Sequence, residues 1–218
     1  MSTLKVLSAL LSYPTEELVR ALPEIAVLLG EDKRLSRRDR EGLADLLGEL
    51  MTADLLDAQE RYVEVFDRGR ATALHLFEHV HGESRDRGQA MVDLGQIYAR
   101  AGFDLATHEL PDYLPAMLEF LSYRPETDTR EMLGDCAHIL RTIGETLQSR
   151  ESRYGAIFGA LLSLIGEEGL SAQPKAPKAE EKTMDEEWAE EPAFDGLGSC
   201  SSNQKPKQSV IQIVRRAA

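Results

Sequence analysis

The stretch that decides the fold runs from Leu56 to Leu94 and reads LDAQERYVEVFDRGRATALHLFEHVHGESRDRGQAMVDL. Its first part repeats apolar residues at helical spacing, with Ala58, Tyr62, Val65 and Phe66 on one stripe and Asp54 just upstream as a cap. Gly69 follows at once, as a helix-terminating glycine does. A second helical piece is expected over 72–79, ending near Gly82. Ser84 is then expected to cap a helix carrying Met91, Leu94, Ile97 and Tyr98. Aromatic, ionisable and glycine residues mix more densely here than a plain helical core requires, which marks the stretch as the functional centre.

The same period extends outward in both directions. Leu4, Leu7, Leu10 and Leu11 share one face of a first helix that Pro14 ends. Thr15 and Ser36 are expected to cap the second and third helices. Gly30 is expected to close the second, and Leu43, Leu46, Leu47 and Leu50 point inward from the third. Downstream, Glu109-Leu110-Pro111-Asp112 forms a turn into a helix holding Leu114, Met117, Leu118 and Leu121, with Pro115 tolerated in its first turn. Helical periodicity returns from Thr129 to Gly166, with a kink expected near 150–153 and Cys136 on a core stripe. No strand-like alternation appears before residue 170. The chain therefore reads as all-α, a single helical-bundle domain of about eight helices over 1–170.

Composition changes at Ser171. Residues 180–195 hold eight acids and one lysine, and include Trp188, the only tryptophan. A Gly/Ser-rich linker follows, then a short basic end, SVIQIVRRAA. Such a segment cannot bury a core by itself, so 171–218 is expected to be a disordered, flexible acidic tail. Trp188 and Phe194 are expected to touch the body only loosely.

The chain has 218 residues and a formal net charge of −13, which argues against nucleic acid as a partner and suits a basic peptide. The two cysteines, Cys136 and Cys200, lie far apart and outside any CxxC, so a disulfide framework has no support. The opening MSTLKVLSALLSYP reads as a core helix rather than a signal peptide, and no segment spans a membrane. A cytoplasmic protein without direct membrane insertion is expected.

Two motifs carry chemistry on paper. His75-Leu76-Phe77-Glu78-His79 has the HxxEH spacing of inverted zinc metalloproteases; on one helix His75 and His79 would share a face with Glu78 as base. The alternative function is thus a zinc metallohydrolase. Against it stands a plainer account, a helix packing Leu76, Phe77 and Val80 inward, with no third ligand in any recognisable pattern. The turns with Asp67, Arg68 and Arg70, and with Glu83, Arg85 and Arg87, fit either an anion site or a salt-bridge network joining two turns. No P-loop, GxSxG or Cys–His pattern is present.

The central block resembles the most characteristic block of the nitrate reductase molybdenum cofactor assembly chaperones, the NarJ or delta-subunit family. ELPDYLPAMLEFL (109–121) resembles their second block and QSRESRYGAIF (148–158) a third, and LLSYP (10–14) also fits. The resemblance spans roughly residues 4–165; DEEWAEEP in the tail is similar more loosely.

That resemblance implies an all-helical cytoplasmic chaperone with no catalytic activity and no cofactor of its own. It implies binding to the N-terminal segment of the apo respiratory nitrate reductase alpha (catalytic) subunit, promotion of molybdenum cofactor insertion, and delay of membrane docking. Molybdenum cofactor biosynthesis proteins are further possible partners. Tyr62, Phe66, Leu76, Phe77, Leu114 and Leu118 are expected to line an apolar channel. Glu78, Glu83, Glu109 and Asp112, beside Tyr113, are expected to meet a basic peptide. In the wider chaperone group an acidic-Pro-Asp-His motif is characteristic. Here it reads Glu109-Leu110-Pro111-Asp112-Tyr113, with one extra residue and tyrosine in place of histidine.

Overall fold

The structure is a computed structural model, and it describes residues 2–81, 85–105, 109–171 and 213–215. The expectations for a cap at Ser84, a contact from Glu83, a glycine stop at Gly82 and disorder around Trp188 lie outside these residues. So do the side chains of Arg85 and of the strand 213–215.

Ten α-helices are present among the described residues, two more than the sequence suggested. They are α1 (Thr3–Leu10), α2 (Glu16–Glu31), α3 (Arg37–Thr52), α4 (Leu55–Phe66), α5 (Leu76–His81), α6 (Arg85–Arg100), α7 (Leu114–Leu121), α8 (Glu126–Asp135), α9 (Ala137–Ser149) and α10 (Gly155–Ile165). The increase arises where one long helical pattern over 129–166 breaks into three. Cys136 is not mid-helix but the junction between α8 and α9, where it is half-buried. The expected kink is a full break, and Glu151 there adopts a left-handed φ of 57°. A β-carbon disfavours that conformation, and no glycine announces it.

The caps explain the other starts. The Thr15 side chain accepts from Leu18 N at 3.2 Å, and Asp54 accepts from Leu56 N at 2.9 Å. Ser36 accepts from Asp39 N at 3.1 Å while its own hydroxyl donates back to Asp39 at 2.6 Å. Gly30 does not close α2, which runs on to Glu31 and passes through Pro23.

The core is continuous from Leu4, Val6, Leu7 and Leu10 on α1, through Leu43, Leu46 and Leu47 on α3, to Phe158, Leu161 and Leu162 on α10. Glycines set the closest helix crossings. A β-carbon on Gly144 of α9 would sit 2.8 Å from Phe158 Cβ, so the two helices meet nearly backbone to backbone. The described core ends at Leu170, which is buried.

One small sheet was not anticipated. β1 (Phe103–Leu105) follows α6 after Gly102, whose φ of 81° turns the chain. It pairs antiparallel with β2 (Ile213–Arg215) in the register Phe103 to Arg215, Asp104 to Val214 and Leu105 to Ile213. Three residues are too few to show alternation, and the partner is far away in sequence. No helix among the described residues is long and apolar enough to cross a membrane.

Candidate functional site

The central block and the ELPDY turn are locked together through Asp112. This carboxylate is fully buried. Its Oδ2 accepts from Phe77 N at 3.0 Å, and its Oδ1 lies 3.2 Å from His75 Nδ1. Around it Leu76 N donates to Asp112 O at 3.1 Å and Leu114 N donates to Leu74 O at 2.9 Å. His75 forms a bridge with Tyr113, and the two rings stack at 5.2 Å. Tyr113 in turn meets the Tyr62 hydroxyl at 3.2 Å, and Tyr62 donates to Leu11 O at 2.8 Å. Tyr98 donates to Pro111 O at 2.8 Å and closes the far side of the turn.

The electrostatics follow from this packing. The hydrogen bond to Asp112 raises the His75 pKa above the ordinary imidazole value, against the opposing effect of burial. Burial pushes Tyr113 up to about 12. An imidazole does face this aspartate, although tyrosine occupies the next position; it comes from His75, 37 residues away in sequence.

Asp112 and most of the expected channel residues lie in the interior. Asp112 was expected to meet a basic peptide, but it is buried and its oxygens are committed to His75 and Phe77. Tyr62, Phe66, Leu76, Leu114 and Leu118 were expected to line a channel; they are core residues, and of the expected channel residues Phe77 alone lines the groove between α6, α7 and α8. They lie on the inward stripes of their helices, where burial of apolar surface places them.

Phe77, Glu109 and Tyr113 are half-buried. Glu78 is tied to Arg87 at 3.2 Å. Of the two charged turns, the first is described in full and the second lies mostly outside the described residues, so the expected network between them is seen only in part. Arg68 pairs with Glu64 on its own helix at 3.9 Å, Asp67 and Arg70 are exposed, and among the described residues Arg87 pairs with Glu78.

The HxxEH geometry does not form. His75 precedes α5 instead of lying on it, and its Nδ1 faces Asp112. His79 Nε2 lies 2.9 Å from Ala73 O and must carry the proton to donate there. The two imidazoles are therefore not on one helical face. Among the described residues no group of three or more His, Cys, Asp or Glu is placed to hold a metal ion.

The accessible feature of this region is a groove of about 700 Å³ between α6, α7 and α8. Phe77, Leu94, Met117, Phe120 and Met132 give it an apolar floor, and Ile97 stands 43% exposed along its wall. Cys136 also lines it, and burial pushes its thiol up to about 11, so it stays protonated at neutral pH. Asp93, Asp128, Glu131 and Asp135 share the rim with Arg100 and Arg124. Arg124 is spent on Asp128 at 2.8 Å and lies over the Phe120 ring at 5.9 Å. Arg100 bonds Gln96 at 3.1 Å. The rim thus carries excess negative charge above an apolar bed.

Methionine floors adapt to different occupants because the side chain is unbranched and polarisable. Sequence reasoning named Phe77 for such a surface but missed Ile97, Glu131, Met132 and Asp135. The usable signal was the apolar residue standing off the buried stripe of α6, facing a similarly mixed α8.

Fold and groove together define a predominantly helical protein with an apolar, acid-rimmed groove between α6, α7 and α8. The family profile described as "Nitrate reductase delta subunit" matches residues 32–159, from the end of α2 into α10 and including the groove. The chain belongs to this family.

It is 45% identical over 197 residues to the nitrate reductase molybdenum cofactor assembly chaperone NarJ of Escherichia coli (strain K12), covering 88% of this chain and 84% of that protein. It is 44% identical over 213 residues to the probable assembly chaperone NarW of the same strain, covering 93% and 89%. A probable NarJ of Bacillus subtilis (strain 168) is 32% identical over 168 residues, covering 77% and 90%.

Proposed function

We propose that this chain is a system-specific assembly chaperone, without catalytic activity, for a respiratory nitrate reductase. In this reading it works in the cytoplasm. It binds the N-terminal segment of the apo alpha subunit, keeps the apoenzyme open for molybdenum cofactor insertion, and delays docking at the membrane until insertion is complete. The observation that carries the reading is the apolar, acid-rimmed groove in a chain 45% identical to NarJ.

The mechanism needs no bond-making step. An amphipathic helix lays its apolar face on Phe77, Leu94, Met117, Phe120 and Met132. Its basic residues meet Glu131 and Asp135 at the rim, which sets orientation and speeds encounter. The surrounding ELPDY turn, pinned by Asp112, fixes Phe77 at one end of the floor. While the segment is held it cannot make its contacts in the assembled enzyme, so occupancy itself delays docking. Proteins that make or deliver the molybdenum cofactor would meet the complex and not the chaperone alone.

Calorimetric titration with a peptide copying the first fifteen residues of the cognate alpha subunit tests this, a length that forms one groove-bound helix. Saturable binding near one to one is expected. The double reversal Glu131→Lys/Asp135→Lys should weaken it tenfold or more while the helical circular dichroism signal stays unchanged. Absence of binding by the unaltered chain would remove the reading.

A further inference from the structure

We propose that the edge of β1 is a docking site for an extended segment, and that its resident occupant is the chain's own strand β2, held beside the groove as a releasable strap. The inference rests on the groove being a peptide site, as proposed above.

The pairing is explicit, with Phe103, Asp104 and Leu105 set against Arg215, Val214 and Ile213. The sequence suits it: Val210, Ile211, Ile213 and Val214 are β-branched and apolar, and Arg215-Arg216 adds positive charge in a chain of net −13. An apolar run joined to a basic pair is also the chemistry that the acid-rimmed groove accepts.

The strap and the groove share a wall. The buried Phe103 ring packs edge-on against Phe120 at 5.4 Å, and Phe120 lines the groove. Arg100 and Ala101, also at the groove, precede β1 by one turn of Gly102. The β2 backbone lies against α7, the helix that carries Phe120. A helix seated deeply on Phe120 therefore presses on the strand pair, and the strand pair limits how far that wall can move.

Strength decides whether such a strap is useful. A lone two-stranded ladder is marginal by itself. Because β2 belongs to the same chain as β1, however, their pairing is intramolecular, so even weak pairing keeps it seated more than a free peptide would be. A ligand that must first displace it loses affinity by the fraction of chains in which the strap is on.

The test uses the full chain and a full-length Ile213→Pro/Val214→Pro variant. Adjacent strand residues point their N–H groups to opposite sides, so one of the two prolines must remove a donor that faces β1. Hydrogen exchange across Phe103–Leu105 should be at least tenfold faster in the variant, and excess peptide copying Ser209–Ala218 should restore protection. The fifteen-residue alpha-subunit peptide should bind the variant at least twofold more tightly.

Unchanged exchange at Phe103–Leu105 would overturn the docking site. Faster exchange with unchanged peptide affinity would overturn the strap's competition with the groove. Peptide that binds neither protein defeats the proposed function instead, and the exchange result still decides for or against the docking site.

Discussion

Asp112 illustrates why a residue's type does not announce its job. Glu-Leu-Pro-Asp-Tyr reads as a charged surface turn, and an acid there reads as a rim contact. Its partners, His75 and Phe77 N, lie 37 and 35 residues away, and only folding brings them within 3.2 Å. On the proposed function Asp112 is then a positioning residue, acting on the bound segment through Phe77.

Replacing it with alanine removes the acceptor of the part-buried Phe77 N–H and the partner of His75 Nδ1, a loss of about 1–3 kcal/mol. Asp112→Ala should lower the urea midpoint accordingly and, where the variant is folded, weaken peptide binding less than the Glu131→Lys/Asp135→Lys pair does, because it acts only through the placement of Phe77. Full stability with lost binding would put Asp112 in contact with the ligand instead.

The partner supplies a pH signature. The His75 pKa is raised in the folded protein, so its contribution is complete below the unfolded imidazole value of about 6.5 and is lost as pH rises through the folded value. Urea midpoints from pH 5.5 to 9 should fall across that window, and His75→Gln should flatten the fall.

At the scale of elements, legibility tracks how local the cause is. Thr15, Ser36 and Asp54 announce helix starts because a cap acts within three residues. The break before α10 was visible only as a kink, since its left-handed residue is a glutamate. β1 escaped notice because its pairing is non-local. The groove was half legible: most of its floor follows from amphipathic α6 and α7, but Asp128, Glu131 and Asp135 of the rim come from α8, whose rotation about its own axis no local pattern fixes.

Close crossing of α9 and α10 belongs to the same class. Gly144→Ala would place a methyl 2.8 Å from Phe158 Cβ, an atom fixed to the backbone, and 2.9 Å from the more yielding Leu170 tips. Overpacking of this kind costs about 1–3 kcal/mol. The variant should show a lowered urea midpoint, and Phe158→Leu, which keeps that β-carbon, should not rescue it.

For the molecule as a whole, the shift in composition at Ser171 falls beside the last described core residue. Leu170 is buried over Gly144 and Gly159 and is held from outside. Arg38 donates to Leu170 O at 2.9 Å and to Ser171 O at 3.3 Å, and Arg141 donates to Gly169 O at 3.1 Å. The body therefore closes with a plug contributed by the chain after α10.

Two truncations separate the plug from the residues beyond it. A chain ending at Ser171 keeps Leu170 and the contacts of both arginines, and among the described residues it loses β2 with its pairing to β1 and its packing on α7, so its melting temperature should lie within a few degrees of the full chain. A chain ending at Gly166 uncovers the α9–α10 crossing and loses a buried leucine worth about 1.5–3 kcal/mol, with the arginine bonds besides. Its melting temperature should drop clearly further. Equal melting of the two truncated chains would mean that Leu170 contributes nothing to closure, and a large drop already at Ser171 would assign part of the body's stability to residues 172–218.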